Sequence, residues 1–187
     1  TLMMRMIDYD GDKDADILAL IGQERDGLYL FLNDGNGNFE MSPLMRMAPM
    51  FGVSSFELVD ITGDGKLDLI VTCGDNADLS VILKPYHGVH IFVNADEEGF
   101  LPAWFYPMNG AYNCKAADFD QDGDIDMAAI AMFPDYQTRP HENFVYFENQ
   151  GGEGFNFKPK TFEKAMGMRF MTMDIGDADG DGDTDIV

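Results

Sequence analysis

Short apolar runs separated by acidic, glycine-rich stretches fill the chain, and they return in a fixed order. Largely apolar segments at 56–59, 116–117 and 170–173 each lead into an acidic nonapeptide, and a β-like run follows that nonapeptide at 17–21, 69–72 and 127–130. A further run comes next, at 28–32, 89–93 or 144–147, and ends near an Asn that opens a turn. Runs this short, rich in branched and aromatic residues and bounded by turn formers, predict strands rather than helices.

The nonapeptide occurs four times, beginning at Asp8, Asp60, Asp118 and Asp177, with spacings of 52, 58 and 59 residues. Oxygen-bearing side chains stand at its positions 1, 3, 5 and 9: Asp8, Asp10, Asp12 and Asp16; Asp60, Thr62, Asp64 and Asp68; Asp118, Asp120, Asp122 and Asp126; Asp177, Asp179, Asp181 and Asp185. Position 7 is Asp14, Lys66, Asp124 or Asp183. A second periodic marker is independent of the aspartates: Asn33 and Phe39, Asn94 and Phe100, and Asn149 and Phe155 are each six residues apart, with Gly or Asn just before the Phe. That spacing predicts a tight turn needing left-handed backbone.

Each unit therefore reads as four antiparallel strands, with the Asp loop between the first and second and the Asn-to-Phe turn between the third and fourth. This is the plan of a propeller blade. The expected fold is an all-β propeller of four-stranded antiparallel blades, with units near 1–47, 48–107 and 108–164 and an incomplete fourth at 165–187. Three free blades would expose sheet edges, so these units are expected to form part of a larger propeller of roughly six to eight blades. The Asp loop, the apolar strand after it and the segment Asn33-Asp-Gly-Asn-Gly-Asn-Phe39 resemble FG-GAP or VCBS-type repeats, found in integrin α-subunit propellers and many secreted bacterial proteins.

Calcium takes six to eight oxygen ligands, and alternate side chains of a tightly curved loop converge on one centre. The resemblance implies a backbone carbonyl ligand at position 7, in keeping with Lys66 there, whose ammonium is no ligand. Up to four calcium ions are expected, one per loop. Gly65, Gly123 and Gly182 at position 6 permit the backbone reversal; Lys13 holds that place in the first copy and is expected to weaken it, as Thr62 is expected to weaken the second by removing a charge. An EF-hand needs a Glu at position 12, where this chain has Ala19, Val71 and Ala129.

Charge changes the picture of partners. The formal charge is −22 with only 12 Lys and Arg, which argues against a nucleic-acid partner, since phosphate rewards clustered cations. Four calcium ions would bring the sum to about −14. No apolar run approaches the ~18 residues that span a bilayer, so membrane insertion is not expected. Structural calcium sites of low affinity suit an extracellular, periplasmic or cell-surface setting. Two cysteines, Cys73 and Cys114, are too few for a disulfide framework and read as free buried thiols.

Propeller topology puts the Asp loops and Asn turns on one face, and the links from second to third strand and from blade to blade on the other. The links on that second face vary: 17, 26 and 23 residues separate position 9 from the Asn in the three units. They and the blade-to-blade segment carry Tyr86, His87, Tyr106, Tyr112, Tyr136, Arg139 and His141, the candidate ligand residues, beside Lys84, Asn109 and Asp135. Rings and hydrogen-bonding groups of this kind stack on sugars or contact protein. Trp104 reads instead as core. Three function classes follow: a non-catalytic module binding carbohydrate or protein, a propeller-scaffold lyase or dehydratase acting on sugar, and a docking platform for further segments or subunits of a larger assembly.

Overall fold

A computed structural model of the chain describes residues 2–22, 26–75 and 82–187. Among them there is no α-helix. The strands are β1 (Met3–Ile7), β2 (Asp16–Ile21), β3 (Gly27–Asn33), β4 (Phe39–Arg46), β5 (Val53–Val59), β6 (Asp68–Cys73), β7 (Gly88–Asn94), β8 (Phe100–Pro107), β9 (Ala111–Ala117), β10 (Asp126–Ala131), β11 (Phe144–Asn149), β12 (Phe157–Thr161), β13 (Ile175–Gly176) and β14 (Asp185–Ile186). They form three four-stranded antiparallel sheets in simple up-and-down order and one two-stranded hairpin, β13–β14. These are propeller blades, and the described sheets do not close into a ring.

The core lies between blades. Leu18, Leu20, Leu28 and Leu30 of the first sheet pack on Val53, Phe56, Leu69, Val71 and Cys73 of the second. From the opposite face of the second sheet, Ile70, Val89 and Ile91 pack on Cys114, Met127, Ala129, Val145 and Phe147 of the third. Ala128 and Ile130 then meet Met173, Phe170 and Ile186 of the fourth unit. Odd and even residues of β6 and β10 thus enter different cores, and both strands are buried along their whole length. Side chains on a strand alternate between faces, so a strand covered on both sides is continuously apolar. Gly52 and Gly110, one before each of the first strands β5 and β9, take left-handed φ of 58° and 69°. A Cβ there would come within 2.3 Å of Asp75 and 2.4 Å of Phe133 backbone, so the approach excludes any side chain.

The first strands are the inner ones: β5 packs beside β1 on one side and β9 on the other. Three residues before each Asp loop they carry Arg5, Glu57 and Lys115, and Asp174 holds the same place in the fourth unit. These four form one chain of alternating charge. Arg5 meets Glu57 at 2.8 Å, Lys115 meets Glu57 at 3.5 Å, and Lys115 meets Asp174 at 3.1 Å. Lys115 is 6% exposed, and its hydrogen bond holds the Asp174 carboxyl below the usual range.

Two local expectations differ. Residues 170–173 do not form the fourth unit's first strand; that strand is the short β13, which begins at Ile175. The third Asn turn is two residues longer than the others: Asn149 pairs with Phe157, whereas Asn33 pairs with Phe39 and Asn94 with Phe100. Gly151, Gly152 and Gly154, all left-handed, accommodate the extra length.

Candidate functional site

Every Asp loop joins the first strand of its unit to the second, and all four fold alike. Positions 4 and 6 are left-handed in each: Gly11 and Lys13, Gly63 and Gly65, Gln121 and Gly123, Gly180 and Gly182. Lys13 adopts φ 79° without glycine's freedom, so the first loop keeps the shared shape. The position-1 carboxylates hold the loop closed. Asp8 accepts from the N–H groups of Gly11 at 2.8 Å and Lys13 at 3.2 Å, and Asp177 accepts from Gly180 at 2.7 Å and Gly182 at 3.2 Å. Asp60 and Asp118 keep the position-6 donor and accept from position 5 in place of position 4. At position 5, Asp12, Asp64, Asp122 and Asp181 each accept the position-7 N–H through Oδ1.

Carboxylate oxygens then converge. Asp8, Asp10 and Asp16; Asp118, Asp120 and Asp122; and Asp177, Asp179 and Asp185 each bring ligand atoms within 4.8 Å of one another. Carboxylates this close together could hold a metal ion between them. In the second loop Thr62 takes the place of an Asp, and its hydroxyl donates to Asp68 at 3.0 Å. The crowding perturbs acidity. The Asp183 carboxyl is pushed up by its hydrogen bond with Asp181 and by that neighbour's charge, and Asp120 is pushed up by desolvation and then by Asp126 and Asp122. A bound cation would relieve both. Three of the position-7 side chains reach outside their loops: Lys66 pairs with Asp96 at 2.6 Å, and Asp14 and Asp124 lie against Gly35 and Gly151 of the Asn turns.

The position-9 aspartates do more than face a metal. Asp16, Asp68 and Asp126 are buried at the start of the second strands. Their Oδ1 atoms accept the backbone N–H of Asn33, Asn94 and Asn149 at 2.8, 2.9 and 2.7 Å. Those asparagines return a bond, each donating its side-chain amide to the position-8 carbonyl at 3.1–3.2 Å. This reciprocal clasp ties the Asp loop to the Asn turn and explains why both markers recur together. The Asn33 and Tyr9 N–H groups hold the Asp16 carboxyl below the ordinary carboxylate range.

On the variable face, a cleft of about 340 Å³ opens between the second and third blades. Three links line it: Lys84 and His87 from the β6–β7 connection, Asn109 from the β8–β9 connection, and Asp135, Thr138 and Arg139 from the β10–β11 connection. His87 is fully buried, neither ring nitrogen has a partner among the described residues, and burial together with Lys84 pushes its pKa down to about 4. Arg139 Nη1 donates to the Pro107 carbonyl at 3.1 Å and to Glu142 at 3.3 Å.

Of the seven candidate ligand residues, His87 and Arg139 line this cleft. Tyr86 instead packs on Phe51 at 5.1 Å and on the His87 ring at 5.6 Å. Tyr106 donates to Glu142 at 2.9 Å and stacks with Trp104; burial, then that bond, pushes its hydroxyl up to about 12. Tyr136 donates to the Met168 carbonyl at 3.4 Å, while Tyr112 lies on β9 with its carbonyl bound by Thr72, and His141 is half-buried outside the lining. Trp104 is half-buried and packs against the core, edge-on to Phe147 and Phe157. Cys73 and Cys114 are free and buried, in different inter-blade cores. No helix among the described residues is long and apolar enough to cross a membrane.

No curated protein matches the chain. A solved structure, described as the basis of specific recognition of non-reducing terminal N-acetylglucosamine by an Agrocybe aegerita lectin, aligns with 98% of this chain at 17% identity and a TM-score of 0.55. The chain spans 46% of that structure's length, and the likeness is one of fold. The family model of the FG-GAP-like repeat matches residues 8–71, from the first Asp loop through the first blade and into β6. Residues 8–71 thus carry an FG-GAP-like repeat, and the same loop, clasp and blade return beyond that match.

Proposed function

We propose that the chain is a calcium-stabilised β-propeller module that works outside the cytoplasm, in the medium, the periplasm or at a cell surface, and binds a carbohydrate on its variable face. The observation that carries the binding half is the inter-blade cleft, where the buried His87 and its neighbour Asn109 hold hydrogen-bonding atoms without partners among the described residues. The sugar specificity given for the lectin of similar fold supports carbohydrate over protein as the ligand.

Calcium would be held by the convergent oxygens of positions 1, 3, 5 and 9, and it would offset the repulsion within each loop. The experiment is thermal unfolding with calcium, with magnesium and with chelator, followed by a glycan-binding screen of the calcium-loaded protein. Expected are a rise in Tm specific to calcium and binding to at least one glycan class. No calcium-dependent rise refutes the metal half, and no glycan bound refutes the ligand half.

A second reading is a propeller-scaffold enzyme acting on sugar. Its one favouring observation is that His87, neutral above about pH 4, shares the cleft with Arg139. Turnover of a bound glycan that disappears in a His87→Gln variant would move the assignment to that class.

A further inference from the structure

The cleft between the second and third blades has a chemistry narrower than carbohydrate in general. Its lining carries Lys84 and Arg139 against one acid, Asp135, in a chain where Asp and Glu outnumber Lys and Arg by 34 to 12. Asp135 is already committed: its carboxylate accepts the N–H groups of Gln137 and Thr138 and the Thr138 hydroxyl. Arg139 presents part of its guanidinium to Glu142 and the Pro107 carbonyl through Nη1, which leaves its other donors. Among the described residues Lys84 has no salt-bridge partner.

Deeper in the cleft the groups are neutral. His87 is buried with both ring nitrogens unpartnered, and the Asn109 side-chain oxygen is buried and unpartnered while its amide donates to the Phe133 carbonyl at 2.8 Å. A neutral imidazole offers one donor and one acceptor, and the Asn oxygen offers an acceptor. Leaving such groups unpaired is costly, and a hydroxyl, which both donates and accepts, satisfies either kind.

We infer that this cleft binds an acidic sugar, a hexuronate residue whose ring hydroxyls pair with His87 and Asn109 while its carboxylate pairs with Lys84 and Arg139. The inference rests on the carbohydrate reading above and narrows it. The cleft volume of about 340 Å³ stands at the lower end of the roughly 300–1,000 Å³ range of ligand pockets, which suits a ring or a short stretch of chain rather than a protein surface.

The test is calorimetric titration of the calcium-loaded full chain with oligogalacturonate and with the same oligosaccharide after reduction of its carboxylates to neutral alcohols. Expected is binding of the acidic form that is at least tenfold tighter than that of the reduced form. Lys84→Met and Arg139→Met, changes at partly exposed side chains, should each weaken acidic-sugar binding about tenfold, the loss of one charge-assisted hydrogen bond. They should weaken any binding of the neutral form by much less than tenfold. Equal affinity for both forms overturns the hexuronate inference but leaves the carbohydrate reading standing. Tight acidic-sugar binding unaffected by either substitution overturns the location. Binding of neither form, with other glycans bound in the screen, overturns the inference alone; binding of no glycan at all overturns both.

Discussion

Asp126→Ala separates the structural task of the position-9 aspartates from their task toward a metal. Asp126 is fully buried and accepts three bonds: from the Asn149 N–H at 2.7 Å, the Phe119 N–H at 3.3 Å and the Tyr146 hydroxyl at 2.6 Å. A buried donor left without an acceptor costs about 1–3 kcal/mol, and these donors are half-buried, so the lower part of that range applies to each. The expected loss is about 3–4 kcal/mol. For a chain of this length each kcal/mol moves Tm by roughly 2–4 °C, so the variant should melt about 10 °C lower. The assay is thermal unfolding followed by circular dichroism in excess chelator, where metal ligation contributes nothing. Asp124→Ala, at position 7 of the same loop, is the control, because Lys66 fills that place in the second loop and the site tolerates a change of charge. It should shift Tm by no more than 1–2 °C, as expected of a surface substitution within about 0.5 kcal/mol. Asp126→Asn, which keeps one acceptor oxygen, should fall between them. Equal shifts for Asp126→Ala and Asp124→Ala in chelator would refute the clasp as a source of stability and leave position 9 as a metal ligand alone.

Three further outcomes are expected. Lys115→Met removes the buried cation between Glu57 and Asp174 and should cost about 3 kcal/mol by urea unfolding, while Glu57→Gln should cost less in that background than in the natural chain. Burial holds His87 near pKa 4, below its ordinary 6.5, so below pH 6.5 the unfolded chain binds a proton that the folded chain refuses. Stability should therefore fall by up to about 3 kcal/mol as pH drops from 6.5 to 4; urea midpoints at pH 7 and 4.5 measure this, and the drop should be smaller in His87→Gln. Lys13→Gly replaces a side chain at φ 79° with a residue at ease there, and should raise stability in chelator by about 1 kcal/mol rather than lower it.

Much of the fold was legible because each blade repeats the same local chemistry at the same offsets. The Asp loops needed left-handed residues and crowded carboxylates, and the runs after them needed apolar side chains on both faces, so both stood out against ordinary turns and half-buried strands. The differences have local causes. The third Asn turn begins with the usual spacing, but Gly151, Gly152 and Gly154 let two more residues enter before pairing resumes at Phe157. Lys13 hid the sameness of the first loop, since a left-handed Lys is a backbone state that residue type does not advertise. The cleft was legible only in part. Its residues come from three connections, and the variable links named the right segments without showing that His87, Asn109 and Arg139 meet while Tyr136 and His141 stay apart from them.

The charge chain along the inner strands was hidden for a different reason, and it bears on how one blade comes to sit beside another. A search for repetition looks for the same residue at the same offset, whereas Arg5, Glu57, Lys115 and Asp174 share an offset and differ in sign. Identical residues there would place like charges side by side on adjacent strands, a repulsive arrangement that worsens as burial lowers the local dielectric. Alternation turns the same positions into attractive contacts at 2.8–3.5 Å. Lys115, 6% exposed, meets two acidic neighbours, and those contacts offset the cost of burying its cation. An inner strand carrying the wrong sign at this offset would set like charges beside each other, so the observed alternation favours the contacts that form. The apolar inter-blade cores, built of interchangeable Leu, Ile, Val and Phe, hold any two blades together. The alternating charges, by contrast, add contacts whose sign depends on which residues face each other.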